Sequence, residues 1–417
     1  MFLYVLRVME GNLKELIDGK LRSNTWIWPI YMYYSLVLMS NGAFVSYISL
    51  YYADISLNNA QIGLLTSAGA IVVILAQPFW GIRSDRAQFK NKIMLLCIFM
   101  SASIIWLVPF SATSFILLVL VTLAFNFFQC AVGPVSDTIT LELASTGHFK
   151  FSRVRTVGSI GYALMAAIAG KIFSIDLRLM FVVYSVLMFT AFFTSFAIPQ
   201  VKGHQSDKKK VNLFMIFKDK KIVYLYLYIF IIECTMWFFY TFHSVYSKQL
   251  GISTQLIGLG VMVGSFSQFP FMIFFDKIYK KIGILNIIVI SGFIHVLRWI
   301  LYATVLDAGN ILFLWLLHGC TYIVLYLCLA EYVNSSVIKD LKTSGQMMNA
   351  LILQGLSKII GSMVGGELSS YIGMRYTFFV MAAVCLLATA GFVAFIKYSS
   401  VFKVVNSEPD LIEETIT

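Results

Sequence analysis

The sequence predicts an all-α membrane protein with twelve transmembrane helices in two six-helix bundles. Three observations predict it. Of 417 residues, 59% are hydrophobic and only 12% charged, a charged fraction about half that of a soluble domain. The mean hydropathy is +0.83, more apolar surface than a water-soluble body of this length can hide. The apolar residues also fall into long runs, and a bilayer core of about 30 Å takes roughly 20 of them per helix. A soluble enzyme, a nucleic-acid binder and a disordered protein are excluded by this composition.

The expected elements run as follows. Residues 1–25 form a cytoplasmic N-terminal segment with Arg7, Lys14, Lys20 and Arg22. It has no early apolar core with a small-residue cleavage site, so a signal peptide is not expected. Spans follow at 26–52, 61–82, 92–110, 114–142, 156–175 and 178–197. The polar stretch 199–221 is the only long polar loop between spans and divides the chain into an N-terminal bundle, 26–198, and a C-terminal bundle, 222–398. The second half carries spans at 222–246, 255–277, 284–305, 310–333, 344–372 and 376–398. Residues 399–417 are a short acidic cytoplasmic tail.

Charge placement sets the orientation. The net charge of +11 would suggest nucleic acid in a soluble chain, but in a membrane protein it suggests cytoplasmic loops. With an even number of spans, 25 of the 31 Lys and Arg fall on the side of the termini and four (Lys171, Arg178, Lys248, Arg375) on the other; Arg298 and Lys358 sit inside spans. That split places both termini in the cytoplasm and the chain in the plasma (inner) membrane. The six cysteines (Cys97, Cys130, Cys234, Cys320, Cys328, Cys385) all lie in apolar runs without CxxC spacing. They read as buried thiols, neither disulfides nor metal ligands.

The halves share a weak repeat. Asp85-Arg86 with Lys90 follows span two, and Asp276-Lys277 with Lys280-Lys281 follows span eight. The segment Gly81-Ile82-Arg83-Ser84-Asp85-Arg86-Ala87-Gln88-Phe89-Lys90 resembles the Gly-x-x-x-Asp-Arg/Lys-x-Gly-Arg-Arg/Lys loop motif of the major facilitator superfamily, with Gln88 for the second Gly and Phe89 for a basic residue. Within it, the chain is similar to the lactose-permease-like oligosaccharide/proton symporters and to the phenylpropionate-type permeases. Asn24-Thr25-Trp26, Gln77-Pro78-Phe79, Arg153-Val154-Arg155, Gly158-Ser159-Ile160-Gly161-Tyr162, Arg298 and His318 carry this likeness. The resemblance implies the major facilitator fold, a monomer, alternating access and a substrate site built from Asp137, Arg155, Tyr162, Arg298 and His318, with Arg298 and His318 also candidates for proton coupling. It implies gating roles for Asp85, Arg86 and Asp276. It also marks departures: Thr321 stands where the symporters carry a proton-bearing Glu, Ser265 where they carry a second Glu, and Trp237 and Tyr240 where they carry two Asp.

Physical chemistry adds to this. A charge in the bilayer centre costs roughly 2.5–3.5 kcal/mol on insertion scales and is usually paired or lines a cavity. Those inside spans are Asp137, Glu142, Glu233, Arg298, Glu331, Lys358 and Glu367. Asp137 and Arg155 lie on consecutive helices, where they can share a hydroxylated ligand or neutralise each other. An ion pair that merely locks two helices is the alternative. Tyr162, seven residues beyond Arg155, falls on the same helix face and offers a ring to the same ligand. Arg298 and His318 lie mid-span, and a histidine there can shuttle a proton or accept a substrate hydroxyl. A polar pair fixing two helices is again the alternative; His295, three residues before Arg298, joins the cluster. A carboxyl group buried without a cation favours its protonated form, which makes Glu233 the candidate proton carrier, a pair with Lys358 being the alternative. Glycines in 355–373, and Gly158 with Gly161, permit close helix approach.

No Walker A motif, Ser-His-Asp set or HExxH helix occurs; no enzyme activity, metal or cofactor is expected. The expected function is a secondary active transporter importing a small polar solute, such as an oligosaccharide, with protons. An aromatic acid or nucleoside permease is the alternative, and a multidrug exporter a more distant one. The expected partners are the solute, protons and the lipid bilayer, with no nucleic acid.

Overall fold

The computed structural model describes residues 25–203, 220–305, 308–336, 346 and 348–398. The N-terminal basic residues, most of the linker, Lys339, Lys342 and the acidic tail lie outside the described residues. In a hydrocarbon solvent every backbone N–H and C=O must be satisfied within the segment, which for an apolar run leaves the helix. Helix accordingly fills almost every described residue, and the only bridge between extended segments among them pairs Phe89 with Lys202.

The first half comprises α1 (Ile27–Phe44), α2 (Ile48–Asp54), α3 (Asn59–Arg86), α4 (Lys90–Ile104), α5 (Leu107–Ser111), α6 (Phe115–Ala144), α7 (Phe151–Phe173) and α8 (Leu179–Ser195). The second half begins with α9 (Lys220–Gln249), α10 (Thr254–Ser267), α11 (Phe269–Ile282), α12 (Ile284–Thr304) and α13 (Ala308–Leu316). A π-helical turn at Gly319–Ile323 leads into α14 (Val324–Ser336). A second π-helical turn, Leu351–Leu356, precedes α15 (Ser357–Ile372), and α16 (Met374–Tyr398) closes the described chain. Nine helical stretches among the described residues are long and apolar enough to cross a membrane. Helix that is shorter or broken lies at the other expected spans: α4 with α5, α8, and the second π-turn with α15.

Pro78 inside α3 and Pro134 inside α6 each remove one helical donor without breaking the helix. Backbone chemistry explains three of the joints. Pro270 opens α11 after the interruption at Gln268, a place where its missing N–H is tolerated. Single glycines turn α11 into α12 and α15 into α16: Gly283 has φ 84° and Gly373 φ 80°, a region that side chains rarely adopt.

By contact the described residues fall into two compact units. The first takes those of Met1–Tyr51, Ile71–Lys208 and Ser253–Met262; the second takes those of Tyr52–Ala70, Lys209–Ile252 and Val263–Thr417. In the first, α1 packs on α7 and α8, and α4 on α6. Its interior is aromatic, with Phe44, Phe125 and Tyr184 in mutual contact. Gly158 and Gly161 bring α7 against Tyr34, Leu38, Ser35 and Met39 of α1. In the second unit α12 packs on α16, and α9 on α15 and α16. Phe238, Phe239, Trp299, Tyr302 and Phe378 form its centre. There Gly361 and Gly365 lay α15 against the Cys234 carbonyl and the Phe238 ring of α9. Small residues take these positions because helices in lipid associate by close van der Waals contact rather than by hydrophobic burial.

Candidate functional site

The first unit holds a polar group on α1, α6 and α7. Arg155 Nη1 lies 3.6 Å from Asp137 Oδ2. The hydroxyl of Tyr34 donates to Asp137 Oδ1 at 2.5 Å. One residue earlier on each helix, Tyr33 and Ser136 share a hydrogen bond of 2.5 Å. The ion pair is partly open, with the Arg155 side chain 58% and the Asp137 side chain 34% exposed. An open pair inside apolar helices presents three donors and acceptors to anything that reaches it, which suits a ligand with several hydroxyls. Tyr162 lies two turns along α7, half-buried, and its backbone carbonyl abuts Gly42. Tyr34 was missed by sequence reasoning: nothing separates it from the other tyrosines of α1 until α6 and α1 are seen to meet.

The second unit holds a buried cationic group on α9, α12 and the first π-turn. Arg298 is fully buried, as are His295 and Thr321, and His318 nearly so. Arg298 Nη1 donates to Thr321 Oγ1 at 2.9 Å and lies 3.4 Å from His318 Nδ1 and 3.6 Å from Met236 Sδ. Because guanidinium only donates, His318 Nδ1 accepts, and its ring hydrogen sits on Nε2, 3.3 Å from the Tyr240 hydroxyl. Aromatic rings cover the guanidinium: Phe239 at 4.5 Å, Trp299 at 5.1 Å and Tyr302 at 5.7 Å from Cζ to ring centroid. His295 Nδ1 donates to the Ser291 carbonyl at 2.8 Å. Ser291 in turn donates to the Cys320 carbonyl of the π-turn at 3.0 Å. A π-turn widens the helix by one residue and recurs at functional positions; here it carries Thr321 onto Arg298. The expected Arg298–His318 neighbours are thus in contact. Thr321, in the place of the symporters' glutamate, becomes the guanidinium's partner.

Glu233, on α9, is 1% exposed, and neither of its carboxyl oxygens has a hydrogen-bond partner. Lys358 does not pair with it; its ammonium stands 4.9 Å above the ring of Trp237. The indole of Trp237 donates to the Leu353 carbonyl of the second π-turn at 2.6 Å.

At the loop after α3, Lys90 turns inward and pairs with Glu142 of α6. The chain leaving α8 is strapped across this loop. Lys90 N donates to the Val201 carbonyl at 2.8 Å, Val201 N to Asn91 Oδ1 at 2.9 Å, and Asn91 Nδ2 to the Pro199 carbonyl at 3.1 Å. Phe89 is buried, which accounts for an aromatic residue at a position the loop motif gives to a cation. Asp85 is half-buried, while Arg86 and Asp276 are exposed, and none of the three forms an ion pair among the described residues.

A model of the MFS_1 like family matches residues 27–380. The chain belongs to this family of the major facilitator superfamily. It is 27% identical over 368 residues to the uncharacterized transporter YwbF of Bacillus subtilis (strain 168), covering 86% of this chain and 90% of that protein. It is 22% identical over 358 residues to the maltose permease of Geobacillus stearothermophilus, covering 85% and 91%. The crystal structure of the nucleoside transporter NupG superposes with a TM-score of 0.80 at 16% identity, covering 90% of this chain and all of that one. The fold is therefore the major facilitator fold, and this facilitator is a multi-pass membrane transporter rather than an enzyme.

Proposed function

We propose that the protein imports a small, hydroxyl-rich solute, an oligosaccharide or related sugar, together with protons, by alternating access. The observation that carries the reading is the open Asp137–Arg155 pair with the Tyr34 hydroxyl on Asp137. A carboxylate and a guanidinium held side by side accept and donate to neighbouring hydroxyls at once. Tyr162 supplies an aromatic face on the same helix, and Arg298 and His318 a second polar group. The similarity to a maltose permease supports a sugar. Glu233 is proposed as the proton carrier, being an acid inside an apolar helix with no cation fixing its charge. Asp85, Arg86 and Asp276 are proposed to govern opening on the cytoplasmic side. The strong placement of Lys and Arg on the side of the termini supports an inner-membrane location with both termini in the cytoplasm. The two sequence halves, 26–198 and 222–398, are the bodies proposed to rock.

The test is uptake of labelled mono- and oligosaccharides, nucleosides and aromatic acids into proteoliposomes, with and without an inward proton gradient. Accumulation of a sugar only with the gradient, lost in Asp137→Asn and Arg155→Ala, is the expected result. Equilibration that ignores the gradient would remove proton coupling. Movement of nucleosides or aromatic acids alone would remove the sugar assignment.

A further inference from the structure

Arg298 is a buried cation with no counter-charge among the described residues: no carboxylate there forms an ion pair with it. The neighbouring helices offer little choice: α12, α13 and α16 contain no Asp or Glu, and α9 contains only Glu233. Glu233 keeps both oxygens unpartnered instead of meeting the guanidinium.

The free nitrogens of Arg298 are specific ones. Nη1 is occupied by Thr321, His318 and Met236. Nε and Nη2 have no hydrogen-bond partner, although the residue is fully buried. These two nitrogens form the side-on fork of a guanidinium, two roughly parallel N–H bonds that match the two oxygens of a carboxylate. The rings of Phe239, Trp299 and Tyr302 do not replace such a partner. They attract the cation through its faces, whereas the N–H bonds lie in its plane. More polar atoms nearby are idle as well. The Tyr302 hydroxyl faces the guanidinium without reaching a hydrogen bond of normal length; His295 Nε2 and His243 Nδ1 are buried and unpartnered, and both histidines lie within electrostatic reach of Arg298. Buried polar groups left without partners are expensive, and several in one place point to a ligand that supplies them.

We infer that the Nε–Nη2 fork of Arg298 seats a carboxylate belonging to the transported solute, with the Tyr302 hydroxyl beside it. The inference rests on the transport reading and narrows it: the hydroxyl-rich solute carries an acid group, as in a sugar acid or another hydroxylated carboxylic acid. A neutral sugar offers the fork no charge. A free halide shares the anionic chemistry but is a single sphere and does not match two parallel donors.

The test compares matched solutes, glucuronate with glucose and benzoate with benzyl alcohol, in two measurements on the full-length chain. The first is the shift of the thermal unfolding midpoint in detergent; the second is initial uptake into proteoliposomes. The expected result is that at least one acid stabilises the protein and enters about tenfold or more faster than its neutral partner, the effect of a charge-assisted bond. Arg298→Lys, which keeps the charge and loses the fork, and Arg298→Gln are expected to lose that preference. The wild-type comparison needs no variant to fold. Accumulation of glucose with no preference for either acid in either measurement would leave transport standing and overturn the carboxylate seat. Stabilisation by an acid through Arg298 with no solute moving would support the seat and overturn the transport reading. Stabilisation by sodium chloride that neither acid competes with would also overturn the inference, assigning the fork to a free anion.

Discussion

Tyr34 shows how one hydroxyl sets the character of the first polar group. Its bond to Asp137 holds one carboxylate oxygen while Arg155 stands 3.6 Å from the other. A hydrogen bond to a charged group contributes about 1.5–3 kcal/mol, so Tyr34→Phe is expected to weaken solute binding about tenfold or more, read as a rise in the KM of uptake. Glu233 makes a different prediction. Glu233→Gln keeps the shape of a side chain that has no partner to lose, so folding is expected to survive. Accumulation driven by a proton gradient is expected to vanish while solute equilibration continues. If the variant still accumulates solute against its gradient, Glu233 carries no proton. The presence of acids and bases at these positions was legible in the sequence, because a charge in an apolar run is conspicuous. Their partners were not: Thr321 and Tyr34 are ordinary helix residues until neighbouring helices place them 2.9 Å from Arg298 and 2.5 Å from Asp137.

Among the elements, two contacts carry stability predictions. The Lys90–Glu142 pair ties the loop after α3 to α6, with the lysine side chain only 2% exposed. Removing the lysine takes a charge-assisted bond from Glu142, whose side chain is 28% exposed, at a cost of about 1.5–3 kcal/mol. Lys90→Met is therefore expected to lower the thermal midpoint by several degrees, and Lys90→Met with Glu142→Leu to recover most of it, as followed by unfolding in detergent. Glycines give a contrast within one fold. A methyl group at Gly361 would strike the Cys234 backbone carbonyl, whereas nothing lies within 4 Å of the corresponding position at Gly391. Gly361→Ala is expected to destabilise by about 1–3 kcal/mol, as overpacking does. Gly391→Ala is expected to be neutral or stabilising, within about 1 kcal/mol. Equal effects on the two midpoints would show that the close approach of α15 to α9 does not matter. Span positions were readable from apolar runs, and helix covers nearly all of their described residues. The π-turns at Gly319–Ile323 and Leu351–Leu356 were not readable, since one extra residue per turn leaves hydropathy unchanged and depends on what the widened helix bonds to.

For the whole molecule, the two proposals together predict a driving force. One proton moving with a monoanionic acid transfers no net charge. A potassium diffusion potential without a pH gradient is then expected to leave solute accumulation unchanged, while a pH gradient alone drives it; accumulation that follows the potential would refute that pairing. The sequence by itself determined the membrane-spanning all-α class, the approximate spans, the charge asymmetry and the superfamily. Each follows from chemistry written along the chain, above all the need to satisfy backbone polar groups in hydrocarbon and the cost of placing charges there. Only the tertiary structure decided which polar groups are satisfied. It joined Asp137 to Tyr34 and Arg155, set Thr321 and His318 on one nitrogen of Arg298, and left the other two bare. Hydrogen bonds depend on distances of a few tenths of an ångström between helices far apart in sequence, and only the packing of those helices fixes such distances.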